Sequence, residues 1–197
     1  MKKIDFRKLR VMIDEAITYD DIGRAYELVE QGIEAAEQQE LLSERMYFKA
    51  QFSIIEEDFS EAIRYLDLTI KYNPTDGAAY NDRALCMIEL GKLEGVEKYF
   101  DQGIKVEPDF ATIHHNKGWF LNKIGHHNQA LKSLRRALKL EPKRAVTYEN
   151  IANCFLELGQ VDKAIAAYKK TSALLSAEHK SIREQIKKLI KILKTLQ

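Results

Sequence analysis

Residues 43–178 carry one pattern of small and large apolar positions four times, at a constant interval of 34 residues. In the units 43–76, 77–110, 111–144 and 145–178 the eighth place holds Ala50, Ala84, Gly118 and Ala152, and the twentieth holds Ala62, Val96, Ala130 and Ala164. Small residues at two fixed places predict two helices that cross closely. Larger groups fill other fixed places, as in Leu66, Phe100, Leu134 and Tyr168 or Ile70, Ile104 and Leu138, and predict the core that the helices share. Gly91, Gly125 and Gly159 fall in the middle of their units, where a helix must stop and the chain reverse, because glycine adopts left-handed backbone angles at little steric cost. The three prolines of the chain, Pro74, Pro108 and Pro142, stand one interval apart and predict the end of each second helix, since proline lacks the donor that would continue it. Each unit therefore reads as helix, tight turn, helix. A fixed period of this length predicts an all-α helix-turn-helix solenoid that presents an extended binding surface.

The ends continue the pattern with less regularity. Residues 1–42 read as a divergent helical hairpin and connector, with Leu9, Ile13 and Ala16 on one helix and Ala25, Val29 and Gly32 on the next. Residues 179–197 read as a basic amphipathic helix that caps the array, its apolar stripe formed by Ile182, Ile186, Leu189 and Leu193. Lys180, Arg183, Lys187, Lys188, Lys191 and Lys194 surround that stripe as a polar outer face. The whole is expected to be one domain.

The stretches Glu57-Asp58-Phe59-Ser60-Glu61-Ala62-Ile63 and Gly159-Gln160-Val161-Asp162-Lys163-Ala164-Ile165, with the small residues, aromatics and late prolines at their fixed places, resemble the tetratricopeptide repeat (TPR) family over residues 43–178. The resemblance implies a right-handed solenoid whose first helices line a concave face that takes a segment of another protein. Three departures stand out: Val96 for an alanine, Ser176 for the last proline, and Lys49, Arg83 and Lys117 where an apolar residue is usual. The stems of those three cations are expected to cover core surface while their charges reach water.

If first helices form the binding wall, residues one interval apart are neighbours on it. One row is Asp82, Asn116 and Asn150, with Asn81 beside it, and the resemblance implies that asparagines there hydrogen-bond a peptide main chain, an amide offering both donors and an acceptor. A second row is Gln51, Leu85, Trp119 and Asn153. Trp119, the sole tryptophan, is the expected anchor, because tryptophan is over-represented among the residues that dominate binding energy. His115, Asn122 and, on the first regular unit, Tyr47 complete the expected site. The cations with which some TPR proteins clamp a terminal carboxylate have no counterpart, since Tyr47, Gln51, Asp82, Thr112 and Asn116 occupy those places.

With 45% hydrophobic and 31% charged residues, the chain can bury a core without disulfide or metal. Lys and Arg number 31 against 30 Asp and Glu, a formal charge of +1, so no overall basic field draws nucleic acid. Cys86 and Cys154 stand two intervals apart and are expected to be buried thiols, not a disulfide. No phosphate-binding glycine loop, nucleophile elbow, His-Glu-x-x-His or Cys-x-x-Cys is present, so no catalytic role and no cofactor are expected. The pairs His114-His115 and His126-His127 cannot share one ion, because neighbours on a helix diverge by about 100° and twelve residues span about 18 Å. The charged start and the lack of a long apolar run suggest a cytoplasmic protein with no membrane contact. The expected function is a protein-protein interaction scaffold or adaptor that takes a peptide segment in its groove. A self-assembling structural protein and a small-ligand sensor or unrecognised enzyme are the alternatives.

Overall fold

The computed structural model describes residues 4–18 and 21–195; residues 1–3, 19–20 and 196–197, all within the two terminal segments read above, lie outside the described residues. Every regular element among the described residues is a helix, and the chain divides into two compact units, residues 1–108 and 109–197. The first unit contains α1 (Phe6–Thr18), α2 (Ile22–Gln38), α3 (Leu42–Ile55), α4 (Phe59–Tyr72), α5 (Gly77–Glu89) and α6 (Val96–Val106). The second contains α7 (Ala111–Lys123), α8 (His127–Leu140), α9 (Ala145–Glu157), α10 (Val161–Leu174), a 3-10 turn (Ala177–His179) and α11 (Lys180–Thr195).

Helices cross where the small residues predict. Ala50, Ala62, Ala84, Ala130, Ala152 and Ala164 are fully buried. At Gly118 a methyl group would stand 2.6 Å from Leu134 Cγ and 3.1 Å from the Ala130 carbonyl oxygen, so α7 and α8 touch backbone to side chain. Gly32 plays the same part in the divergent hairpin, with the Phe48 ring 2.5 Å from the place of its absent methyl. Phe48, Leu66, Ile13 and Val29 fill the core of the first unit; Leu121, Leu134, Ala152 and Tyr168 fill that of the second.

The turns follow from backbone chemistry. Gly91, Gly125 and Gly159 have φ of 70°, 84° and 67°, the left-handed region that favours glycine. Glu57, one interval before Gly91, adopts the same conformation at φ 58°, as does Glu40 after α2 at φ 56°, so the turn geometry persists without its preferred residue. Asp21, Asp58 and Asp76 cap α2, α4 and α5 by accepting from the N–H groups of Arg24, Glu61 and Ala79, which satisfies donors that a helix start leaves open. Helices α4, α6 and α8 each end two residues before a proline.

Two local departures have physical causes. Helix α6 begins only at Val96, because Gly95 takes φ 80° and the first turn that the other second helices possess is unwound. Val96 is fully buried at a place that alanine fills elsewhere, and the loosened start accommodates its extra bulk. In α11 the apolar stripe is Ile186, Leu189, Ile190 and Leu193; Ile182, expected within it, is 40% exposed. Arg183, expected on the outer face, donates instead to the carbonyl oxygens of Ser172, Leu175 and Ser176 at 3.3, 2.7 and 2.9 Å, closing the end of α10 where the expected proline is missing.

Two glycine substitutions separate close approach from chain flexibility. Gly118→Ala is expected to destabilise the fold by about 1–2 kcal/mol, overpacking outweighing the gain in helix propensity. Gly23→Ala, which meets nothing within 4 Å, should stabilise by about 0.5–1 kcal/mol. Equilibrium urea unfolding of both variants checks the opposite signs.

Candidate functional site

In the first unit, the expected binding residues form a closed polar network. Asp82 on α5 accepts hydrogen bonds from Tyr47 Oη at 2.9 Å and Gln51 Nε2 at 2.7 Å, both from α3, and from Asn81 Nδ2 at 2.9 Å. The Arg10 guanidinium of α1 lies 3.5 Å above the Tyr47 ring and donates to both carboxylate oxygens of Asp76 and to Glu44. Asp76 in turn caps α5, so one arginine ties the starts of α3 and α5 to α1. Loss of solvent pushes the Asp82 carboxyl above the usual carboxylate range, against the pull of its three donors, and burial together with the Asp82 charge pushes the Tyr47 phenol up. Arg10, Glu44 and Asp76 are the residues of this network that the repeat alignment did not single out: Arg10 precedes the regular units, and Glu44 and Asp76 stand at the two ends of the first of them. Leu85, on the next turn of α5, is half-buried.

The second unit is arranged differently. His115 on α7 is buried and bridges to α9: Asn150 Nδ2 donates to its Nε2 at 3.4 Å, which assigns the ring hydrogen to Nδ1, donating to Thr147 Oγ1 at 2.9 Å. Burial, reinforced by the Arg144 charge, holds the His115 pKa down to about 3, so the imidazole is neutral at physiological pH. Tyr168 of α10 donates to Asn153 Oδ1 at 2.5 Å. Asn122 is drawn away from the others, its Oδ1 accepting from His127 Nδ1 at 2.7 Å across the α7–α8 turn. Trp119 and Asn116 are half-buried, and Lys123 Nζ stands 5.2 Å from the Trp119 ring centroid. Trp119 lies one helical turn from His115, the residue through which α7 bonds to α9.

In the cation row, Lys49 and Arg83 lie against tyrosine rings, and the Arg83 charge, expected to reach water, is paired instead. Arg83 reaches Asp67 at 2.6 Å and stacks 3.9 Å from the Tyr99 ring, and Lys49 Nζ stands 6.0 Å from that of Tyr65. His114 is buried in the second unit. Among the described residues no group of three or more His, Cys, Asp or Glu is placed to hold a metal ion. Cys86 and Cys154 are both buried and unpaired, one in each unit, and burial pushes their thiols up to about 12 and about 11.

The neutral His115 makes stability depend on pH with a definite sign. The unfolded chain binds a proton at this residue below about pH 6.5, whereas the folded chain resists until about pH 3, so the contribution is complete above 6.5 and fades on acidification. Between pH 7 and pH 5 the natural chain should lose about 2 kcal/mol more stability than His115→Gln. Urea midpoints at both pH values measure this difference; equal losses would show that His115 is protonated in the fold.

Comparison with known proteins finds a repeat match over part of the chain and a likeness of fold over most of it. A tetratricopeptide repeat family model matches residues 124–183. No curated protein matches the sequence significantly. Among solved structures, TTC0263, described as a thermophilic TPR protein in Thermus thermophilus, is 18% identical, with 97% of this chain and 100% of that chain covered at a TM-score of 0.71. YrrB, described as a TPR protein with an unusual peptide-binding site, is 14% identical over 93% of this chain and 92% of its own, at 0.62. MamA from Desulfovibrio magneticus RS-1 is 19% identical over 80% of this chain and 97% of that chain, at 0.63. At these identities the likeness is one of fold, an all-α helical-repeat architecture, and the tetratricopeptide repeat match extends over residues 124–183.

Proposed function

We propose that this protein is a non-catalytic interaction scaffold that holds an extended or helical segment of another protein against the α7–α9 face of its second unit, with Trp119 as anchor. The observation that carries the reading is the contrast between a half-buried tryptophan and the fixed polar groups around it. Asn150 and Asn153 are already held by His115 and Tyr168, so a ligand meets groups whose ordering entropy is spent, each worth about 0.5–1.5 kcal/mol if it had to be immobilised on binding. Amides in this position retain further donor or acceptor capacity toward a peptide unit. In the first unit, Tyr47, Gln51, Asn81 and Asp82 satisfy one another, so their part in the proposal is to set the shape and charge of the α3–α5 face, with Leu85 as its apolar contact. The unusual peptide-binding site attributed to YrrB, which shares this fold, supports a peptide ligand.

Affinity capture with the natural chain and with Trp119→Ala tests the reading. A partner retained by the natural chain should bind the variant about 30-fold more weakly, equivalent to about 2 kcal/mol for the loss of a central tryptophan. Thermal melting of the variant controls for its fold. Equal retention by two equally folded chains would remove Trp119 from the binding surface.

A further inference from the structure

The formal charge of +1 conceals a partition. Residues 1–108 contain 14 Lys and Arg against 23 Asp and Glu, a formal −9, whereas residues 109–197 contain 17 against 7, a formal +10. The division follows the two compact units. It is concentrated in particular helices: α8 carries four cations and no acid, and α2 carries four glutamates against one arginine.

On each of these helices the charges form a line on the exposed face. Glu30, Glu34 and Glu37 on α2 are all exposed and follow steps of four and three residues. Lys139, Arg135 and Lys132 on α8, taken in reverse order, are all exposed and follow the same steps of four and three. Each row is about 10 Å long. Within the described residues none of the three cations has an ion-pair partner, nor has Glu30 or Glu34; Glu37 faces Arg45 at 3.6 Å. Like charges one helical turn apart repel, a cost that an opposite row laid alongside removes.

From this match we infer that the α8 face is a docking surface for a second copy of this chain, whose α2 lies antiparallel to it and sets Glu30, Glu34 and Glu37 against Lys139, Arg135 and Lys132. The second copy fits better than a polyphosphate strand. A long polyanion drawn to the +10 unit is repelled by the −9 carried on the same chain, whereas another copy offers an opposite field to both. The contact joins two different faces, so each copy retains an α2 and an α8 for further partners, and assemblies close as rings or extend. The interaction goes beyond the peptide reading above, because it uses neither Trp119 nor the α7–α9 face.

Sedimentation velocity of the full, nuclease-treated chain tests the inference. In about 20 mM salt the weight-average mass should rise with concentration to at least twice 22.8 kDa; in about 1 M salt, where the screening length falls to about 3 Å, it should return to the monomer. The variants Lys132→Glu/Arg135→Glu/Lys139→Glu and Glu30→Lys/Glu34→Lys/Glu37→Lys should each be monomeric in low salt. Mixed in equal amounts they should associate again, because each then supplies the row that the other lacks. All six positions are exposed, and circular dichroism confirms that the variants fold. A monomer at every concentration in low salt or association unchanged by either triple substitution would overturn the inference, and association seen only in a parallel sample left untreated with nuclease would overturn it in favour of nucleic acid as the occupant.

Discussion

The close crossing of helices at small residues is the constraint on which the other features rest. Where Gly118 meets Leu134 and Gly32 meets the Phe48 ring, no Cβ fits, and at Ala50, Ala84 and Ala152 nothing larger than a methyl is buried. Such contacts fix the separation of paired helices, and through it the length of turn that can join them. A left-handed residue is then required at one place, which is why Glu57 accepts a conformation that Gly91, Gly125 and Gly159 adopt more easily. The polar faces are secondary to this frame. Asp82 meets Tyr47 and Gln51, and His115 meets Asn150, because the crossings hold consecutive first helices within hydrogen-bond reach.

The two units use that frame with different chemistry. In the first, a carboxylate collects three neutral donors and an arginine covers the tyrosine that supplies one of them. In the second, a neutral imidazole stands in place of the carboxylate, accepting from an asparagine and donating to a threonine. The repeat supports both, because packing positions recur while the face that they present is free to vary.

Much of this was legible in the residues. The helix pairs, the small residues at their crossings and the buried cysteines follow from the spacing of apolar groups, since packing obeys the period closely. Other features escape a periodic reading because they depend on a single residue. Gly95 unwinds the start of α6, Arg183 closes α10 in place of a proline, and Asn122 turns toward His127 although its row places it with the binding residues. Arg10 lies outside the regular units, so no row reveals its contact with Tyr47. The separation of charge was visible in principle but is erased by summing the whole chain; only a division at residue 108 recovers it.

Cys86 and Cys154 add a different property. Each unit holds one thiol, buried and with its thiolate disfavoured, so neither can react with an alkylating reagent while its surroundings remain closed. Exchange of each thiol is therefore gated by a local opening event, and the two halves of the chain carry separate chemical clocks of their own fluctuations. A protein built by repetition thereby contains, in two residues one double interval apart, the means to tell whether its halves breathe together or alone.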